Sequence, residues 1–229
     1  MNLSRLETLI GEDNIKKLSK LKILILGIGG VGGYTVESLV RCGVSNITLV
    51  DGDVIKPSNI NRQIIATSRN NNRYKTKEWK KRIKRINPKA KVNIINTHIT
   101  EDNMEVLFSD EYDYIIDCCD TSKVKIKLIK ECYERKIRVI SSMGMANKLD
   151  ATKITISTLD KTDTDPLAKK LRSEIRDKDI MRSVIVVYSN EAPINNIMLG
   201  STAYVPAVAG LYITNYIVDD VTKRKDSLA

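Results

Sequence analysis

The segment KILILGIGGVGGYTVESLVRC, residues 22–42, decides the fold. Lys22 to Leu26 is a short apolar run that predicts a buried strand, and Tyr34 to Cys42 is helix-like. The turn between them, Gly27-Ile28-Gly29-Gly30-Val31-Gly32, satisfies the G-x-G-x-x-G pattern directly after a strand and before a helix. Because Asn46 to Val50 is the next apolar run, residues 22–50 predict a βαβ unit.

Strand and helix signals continue to alternate along the chain. The further strands predicted before residue 150 are Val92–Ile95, Asp113–Asp117 and Arg138–Ser141, and the further helices are Asn14–Ser19, Lys75–Ile86, Glu101–Phe108 and Lys123–Arg135. This alternation favours an α/β, Rossmann-like fold with a mostly parallel sheet and helices on both faces.

The pattern changes from Lys153 onward. KITIST (153–158) and SVIVVYS (183–189) predict strands around a helical PLAKKLRSEIR segment (166–176), and Val208–Val221 predicts a closing helix. We expect one domain over 1–229, with a nucleotide-binding core at 1–150 and a C-terminal β-meander elaboration with the closing helix at 151–229. The KRKDSLA tail (223–229) is expected to be mobile.

Composition narrows the class of protein. No apolar run approaches the roughly 18 to 20 residues of a membrane helix, and the N-terminus is not a signal peptide, so we expect a cytoplasmic protein with no membrane partner. The four cysteines form no C-x-x-C pair, which argues against a zinc ribbon or a disulfide framework. Cys118 and Cys119 at a predicted strand end, and Cys132 on a helix, are expected to pack in the core rather than act as nucleophiles.

Positive charge is concentrated in one segment. The net charge is +10, and residues 69–91 carry eleven Lys or Arg residues against one acid, Glu78. Such a field attracts polyanions such as nucleic acid. A solvated basic helix without a partner remains an equal alternative.

The glycine turn predicts a phosphate cradle. Gly27 permits the tight turn, Gly29, followed by Gly30, lets a phosphate approach the backbone, and Gly32 lets the helix pack closely. Asp51 lies nineteen residues beyond Gly32 at a strand end, where its carboxylate can accept hydrogen bonds from a ribose. These features fit NAD as well as ATP.

Residues beyond the turn favour ATP over NAD. A dehydrogenase needs a hydride-transfer site, whereas the one histidine, His98, has no evident partner and is expected to be structural. Arg62, Lys75 and Asp120 suit attack of a carboxylate on an α-phosphate, because fixed cations and a carboxylate-held Mg²⁺ stabilise the developing negative charge. The predicted cofactors are therefore ATP and Mg²⁺.

Several motifs resemble a known family. GIGGVG, DGD (51–53), NINRQ (59–63), INP (86–88) and DCCD (117–120) resemble the ThiF/MoeB/HesA branch of the ubiquitin-activating superfamily. More narrowly, SSMGMANKLDATKI, KTDTDPLAKKLR, VVYSNEAP and VPAVAGL resemble the tRNA threonylcarbamoyladenosine dehydratases, the TcdA/CsdL family, along almost the whole chain.

The resemblance implies a reaction. The carboxylate of threonylcarbamoyladenosine in tRNA is adenylated by ATP and then displaced intramolecularly, which closes a ring with net loss of water. A tRNA is the implied partner, and a sulfur-transfer or electron-transfer protein is a further possible one.

The resemblance also implies roles by position. Asp51, with Asp53, would bind the ribose side of the nucleotide, Arg62 and Lys75 the phosphates, and Asp120 the Mg²⁺. Arg5 would reach the triphosphate from the neighbouring subunit, which implies a homodimer. Asn59 and Gln63 would bind phosphate or shape their loop.

Three departures from relatives stand out: Asn2 in place of an Arg, Asn72-Arg73-Tyr74 in place of a Gly-Pro approach to Lys75, and Ala146 in place of a glycine. They leave every proposed catalytic residue intact. Two other functions stay open: an adenylating activator of a small ubiquitin-like or sulfur-carrier protein, and a non-catalytic, nucleotide-gated tRNA-binding protein.

Overall fold

One seven-stranded sheet organises the protein, and its strand order is β3-β2-β1-β4-β5-β7-β6. The computed structural model describes residues 1–194 and 198–222, so the tail predicted to be mobile lies outside the described residues. The strands are β1 (Lys22–Leu26), β2 (Asn46–Val50), β3 (Lys91–Ile95), β4 (Tyr114–Asp117), β5 (Arg138–Ser142), β6 (Ile154–Thr158) and β7 (Ile185–Ser189). All neighbours pair in parallel except β6 and β7, which confirms the mostly parallel sheet.

Eight α-helices accompany the sheet in the described ranges. They are α1 (Ser4–Ile10), α2 (Glu12–Lys20), α3 (Gly30–Arg41), α4 (Lys75–Ile86), α5 (Ser122–Glu134), α6 (Pro166–Ile175), α7 (Lys178–Ser183) and α8 (Val205–Thr222). Short 3-10 helices cover Pro57–Asn59, Met104–Phe108, Ala151–Lys153 and Leu159–Lys161.

Helices cover both faces of the sheet, as the sequence predicts. Ile23 and Ile25 of β1 belong to one buried cluster, together with apolar residues of α3, α4 and α8. Leu24 and Leu26 belong to the other, together with apolar residues of α5, α6 and α7. Because neighbouring strand residues point to opposite faces, the continuous apolar run of β1 is explained by burial on both sides.

The segment after residue 153 extends the main sheet. Strand β7 pairs in parallel with β5, and β6 then pairs antiparallel with β7 at the sheet edge. The predicted elaboration is thus an antiparallel pair with α6 and α7 between its strands. The closing helix α8 is longer than predicted and packs along α3.

One predicted helix, Glu101–Phe108, is wrong. Only Met104–Phe108 is helical, and it is a 3-10 turn. The reason is local: the Asn103 side chain accepts from the Thr100 N–H at 2.8 Å and donates to the His98 carbonyl at 2.9 Å, so the chain before Met104 turns instead of starting a helix. Helix α7 is present but was not predicted.

The strand order determines where the binding crevice lies. Strand β1 lies between β2 and β4, so successive units leave it in opposite directions and open a crevice at the carboxyl ends of the strands. None of the described helices is both long and apolar enough to span a bilayer.

Candidate functional site

A cavity of about 1040 Å³ opens at the carboxyl ends of β1, β2, β4 and β5. Ten of the predicted site residues line it: Gly27, Gly29, Gly30, Asp51, Asp53, Asn59, Arg62, Gln63, Lys75 and Asp120. Gly32 lies beneath it, and Arg5 lies elsewhere. The fold therefore collects in one place residues that are spread over almost a hundred positions of sequence.

The glycine turn forms the floor of the cavity. Gly27 has φ of 80°, and a Cβ there would lie 2.8 Å from the Cys118 carbonyl oxygen. A Cβ at Gly32 would lie 1.9 Å from the Gly27 carbonyl oxygen, so glycine is required for α3 to start so close to the strand. Helix α3 begins at Gly30, which directs its first N–H groups and the positive end of its dipole towards the cavity, an arrangement suited to phosphate.

The Asp51 side chain stabilises this turn through hydrogen bonds. One carboxylate oxygen accepts the Ile28 N–H at 3.0 Å, and the other accepts the Asp53 N–H at 2.8 Å. Each oxygen keeps further acceptor capacity. The side chain therefore fixes the floor of the cavity and can still bind hydroxyl groups.

Lys75 is buried and paired. Its side chain is 5% exposed, and its ammonium lies 2.7 Å from Asp53 Oδ2 and 3.7 Å from Asp51 Oδ2. Partial burial raises the pKa of the Asp53 carboxyl, but the hydrogen bond and charge of Lys75 outweigh it and hold that pKa below its usual value. Asn72, in the approach to Lys75, adopts φ of 60°, a conformation that Asn tolerates better than most residues.

The NRQ loop forms one side wall. The buried Asn59 side chain accepts the Lys56 N–H at 3.0 Å, so it shapes the turn. The Arg62 guanidinium donates to the Ser58 carbonyl at 2.8 Å, which leaves other donors for a ligand. Gln63 is 7% exposed, and its buried Oε1 has no hydrogen-bond partner in the described part of the chain. An orphaned amide beside the glycine turn fits a site that a polar ligand completes.

Asp120 is the exposed carboxylate at the carboxyl end of β4. Among the described residues no cluster of three His, Cys, Asp or Glu side chains forms a ready-made metal cage. A single carboxylate nevertheless suits Mg²⁺, which binds through one or two carboxylates together with substrate phosphates.

The cysteines beside Asp120 are poor nucleophiles. Burial raises the pKa of the Cys118 thiol to about 12 and raises that of Cys119 further. Cys132 is a buried residue of α5, and burial raises its pKa to about 12. A thiolate is the reactive form, so all three remain unreactive near neutral pH.

Arg5 is the predicted residue that the chain does not bring to the cavity. It is exposed on α1 and lines a separate surface pocket with Asn2 and Arg41. A role at the nucleotide would therefore need a second copy of the chain.

The cavity lining also includes residues that were not predicted as site residues, among them His98, Lys148 and Asp165. His98, expected to be structural, packs on Gly52 and lies 3.8 Å from Asp53. Asp165 directly precedes Pro166, and an acidic N-cap before a first-turn proline is a helix-start signal that sequence reading can find. Lys148 has no local signal, because its burial depends on tertiary packing.

Known proteins share this architecture. The family model described as the ThiF family matches residues 3–226. The tRNA threonylcarbamoyladenosine dehydratase of Bacillus subtilis (strain 168) is 38% identical over 239 residues, covering 96% of this chain and 94% of the relative. The protein of the same name from Haemophilus influenzae is 34% identical, covering 93% and 90%.

A solved structure agrees with these relatives. The crystal structure of E. coli tRNA N6-threonylcarbamoyladenosine dehydratase, TcdA, in complex with ATP matches with a TM-score of 0.92 at 31% identity, covering 97% of this chain and 94% of that one. These similarities confirm the resemblance seen in the sequence motifs. The chain belongs to the ThiF family.

Proposed function

We propose that this protein catalyses the ATP-dependent dehydration of N6-threonylcarbamoyladenosine in tRNA, by cyclisation through an adenylated carboxylate. The observation that carries the proposal is the single cavity in which the glycine turn, Arg62, Lys75 and Asp120 meet. Relatives that carry the name tRNA threonylcarbamoyladenosine dehydratase and align over more than nine-tenths of this chain support the choice of substrate.

The reaction balances in two steps. A carboxylate oxygen of the modified nucleoside attacks the α-phosphorus of ATP, and the bond from that phosphorus to the bridging oxygen breaks, releasing pyrophosphate. A nucleophilic atom of the same nucleoside then attacks the acyl carbon and releases its proton. AMP leaves with the former carboxylate oxygen, so the nucleoside loses the elements of one water.

The cavity residues take distinct parts in the first step. The turn from Gly27 to Gly32 and the α3 N-terminus hold phosphate oxygens, and Asp51 holds the ribose. Arg62 and Lys75 stabilise negative charge on the phosphoryl group and on pyrophosphate. Lys75 is already oriented by Asp53, so little reorganisation is needed when the nucleotide binds.

Asp120, exposed at the cavity and free of an ion pair within the described ranges, is the residue that would hold Mg²⁺. The ion would neutralise phosphate charge when bound.

The exposed charge of α4 supports tRNA as a partner, and the position of Arg5 supports a second subunit. Helix α4 displays the exposed lysines Lys80, Lys81 and Lys84, a surface suited to the phosphates of tRNA. Arg5 completes the site from a second subunit of a homodimer, which adds a cation to the triphosphate. We infer that the whole chain works as one adenylating unit in the cytoplasm, and a sulfur-transfer or electron-transfer protein is a further partner to test.

Mass analysis of the nucleoside tests the proposal directly. The purified protein is incubated with ATP, Mg²⁺ and tRNA that carries threonylcarbamoyladenosine, and the tRNA is then digested to nucleosides. We expect a product lighter by one water, with AMP and pyrophosphate formed in equal amounts. ATP consumption with an unchanged nucleoside mass would refute this substrate.

Pyrophosphate exchange and AMP formation separate the two alternatives. An activator of a carrier protein would exchange pyrophosphate only when a polypeptide ending in Gly-Gly is present, and the raised pKa values of Cys118, Cys119 and Cys132 argue against a thioester step. A non-catalytic tRNA-binding protein would form no AMP at all.

A further inference from the structure

The cavity has a second wall that contains none of the residues predicted to bind the nucleotide. It consists of residues 143–148, which follow β5, and residues 165–167, which begin α6. Small-molecule pockets usually span about 300–1,000 Å³. At about 1040 Å³ this cavity leaves room for a second group beside a nucleotide.

Lys148 carries the positive charge of this second wall. The residue is 2% exposed, and its ammonium donates to Asp165 Oδ2 at 2.8 Å. That is its one side-chain hydrogen bond within residues 1–194 and 198–222. An ammonium has three donors, so two of them lack an acceptor in this part of the chain.

Another buried lysine, Lys125, is 0% exposed and behaves differently. Its ammonium contacts Asp117 Oδ2 at 2.8 Å, Ser141 Oγ at 3.2 Å and the Asp117 carbonyl at 3.5 Å. Lys125 thus satisfies its three donors inside the protein, and it does not line the cavity formed by the described residues. A buried lysine with a structural role can thus find an acceptor for each of its N–H donors in this fold. Lys148 instead lies at the cavity with two N–H donors that have no acceptor in the described part of the chain.

The negative charge of Asp165 does not prevent the Lys148 ammonium from binding a second anionic group. Asp165 Oδ1 accepts the N–H groups of Leu167 at 2.9 Å and Ala168 at 3.1 Å, so the first turn of α6 also balances its charge. The space beside this carboxylate at Gly144 is not crowded, since a Cβ there would lie 3.7 Å from Asp165 Oδ2, an ordinary contact distance.

We propose that Lys148 binds the carboxylate of the modified nucleoside before it is activated, and so selects a nucleoside that carries a carboxylate. This assignment rests on the proposed function. Asp165 acts as a positioning residue, because it holds the ammonium at the second wall and caps α6. The first wall then binds ATP and the second wall presents the carboxylate to it.

A binding comparison tests the assignment apart from catalysis. The affinity of the protein is measured for tRNA with threonylcarbamoyladenosine and for the same tRNA without the threonylcarbamoyl group, both with a non-hydrolysable ATP analogue. We expect the wild type to prefer the modified tRNA by about tenfold, the effect of a charge-assisted hydrogen bond. The double variant Lys148→Met/Asp165→Asn should lose this preference and keep its affinity for the ATP analogue and for unmodified tRNA.

The double variant is chosen to fold. It leaves no lone buried charge, and asparagine is as good a helix N-cap as aspartate. Lys148→Gln is the second variant, since it removes the charge while it can still donate to Asp165, and it should lose the preference as well. Lys170→Met, at an exposed lysine on α6, is the matched control and should keep it.

The outcomes separate the two proposals. A preference that persists in Lys148→Gln and in the double variant overturns the role of Lys148. The same conclusion follows if the wild type converts the nucleoside but binds both tRNAs equally. If the wild type does not convert the nucleoside at all, the proposed function itself fails.

Discussion

The ammonium of Lys75 lies 2.7 Å from the carboxylate of Asp53, and this pair joins the first residue of α4 to the loop after β2. The Lys75 N–H also donates to the Asp53 carbonyl at 3.1 Å. Both contacts lie at the mouth of the phosphate cradle, so the position of the lysine is set before a nucleotide arrives.

Replacement of this lysine tests its role. We expect Lys75→Met to lower kcat/KM for ATP by about 100-fold, because the variant loses a fixed cation that stabilises charge in the transition state. Lys77→Met, at an exposed residue on the same helix, is the matched control and should keep wild-type kinetics. Steady-state kinetics checks both, and wild-type kcat/KM in Lys75→Met would remove the lysine from the site.

Asp120 gives a second kinetic prediction. Asp120→Ala should cut turnover by at least about 100-fold and shift the Mg²⁺ dependence to higher concentration, since the carboxylate that would hold the ion is lost. Its thermal unfolding and tRNA affinity should not change, because the side chain is exposed. Asp13→Ala, at an exposed residue of α2, should behave as wild type in every assay. An unchanged Mg²⁺ dependence in Asp120→Ala would contradict the assignment.

The basic face of α4 predicts salt-dependent tRNA binding. Reversing Lys80, Lys81 and Lys84 to Glu should weaken tRNA binding and lower the slope of log affinity against log salt by up to about three. The matched control reverses Lys16, Lys17 and Lys20, which are exposed on α2. If both triple variants give the wild-type slope, α4 is a solvated face and the tRNA binds elsewhere.

A buried carboxylate predicts how stability varies with pH. Burial raises the pKa of Glu37, but hydrogen bonds from Arg82 and Arg41 outweigh it and hold the pKa below its usual value. The stabilisation is therefore complete above the unfolded-state pKa of about 4.3 and is lost as pH falls through the lower folded-state value.

Glu37→Gln tests this by thermal unfolding at several pH values. It should cost about 1 to 3 kcal/mol at pH 7, because the tie between α3 and α4 through Arg82 is weakened. The difference from wild type should hold down to about pH 5 and shrink at lower pH. A difference that grows on acidification would contradict the sign of the shift.

The cysteines predict resistance to alkylation. Since burial raises the pKa of Cys118 to about 12, iodoacetamide at pH 8 should leave Cys118 and Cys119 unmodified in the native protein and leave activity intact. Peptide mass analysis after labelling, with unfolded protein as the positive control, checks this. Rapid inactivation with label on Cys119 would reopen a thiol mechanism.

The local sequence alone determined the first βαβ unit and its glycine turn. Alternating apolar runs and a G-x-G-x-x-G turn depend on neighbours within a few residues, so Lys22–Leu26 and the Gly27 turn were predicted with correct bounds. Asp51 and Asp120 were predicted as site residues at the ends of predicted strands, and the structure brings both to the cavity because parallel strands end at the same edge of the sheet.

Tertiary structure alone decided which charges pair and which stay free. The Lys75–Asp53 and Lys148–Asp165 contacts join segments 22 and 17 residues apart, and the burial of Lys148 requires the whole second wall. Periodicity reports which face of an element is apolar, but not which side chains meet across a cavity. Electrostatic pairing depends on distance in space and on exclusion of water, and only the packed fold sets both.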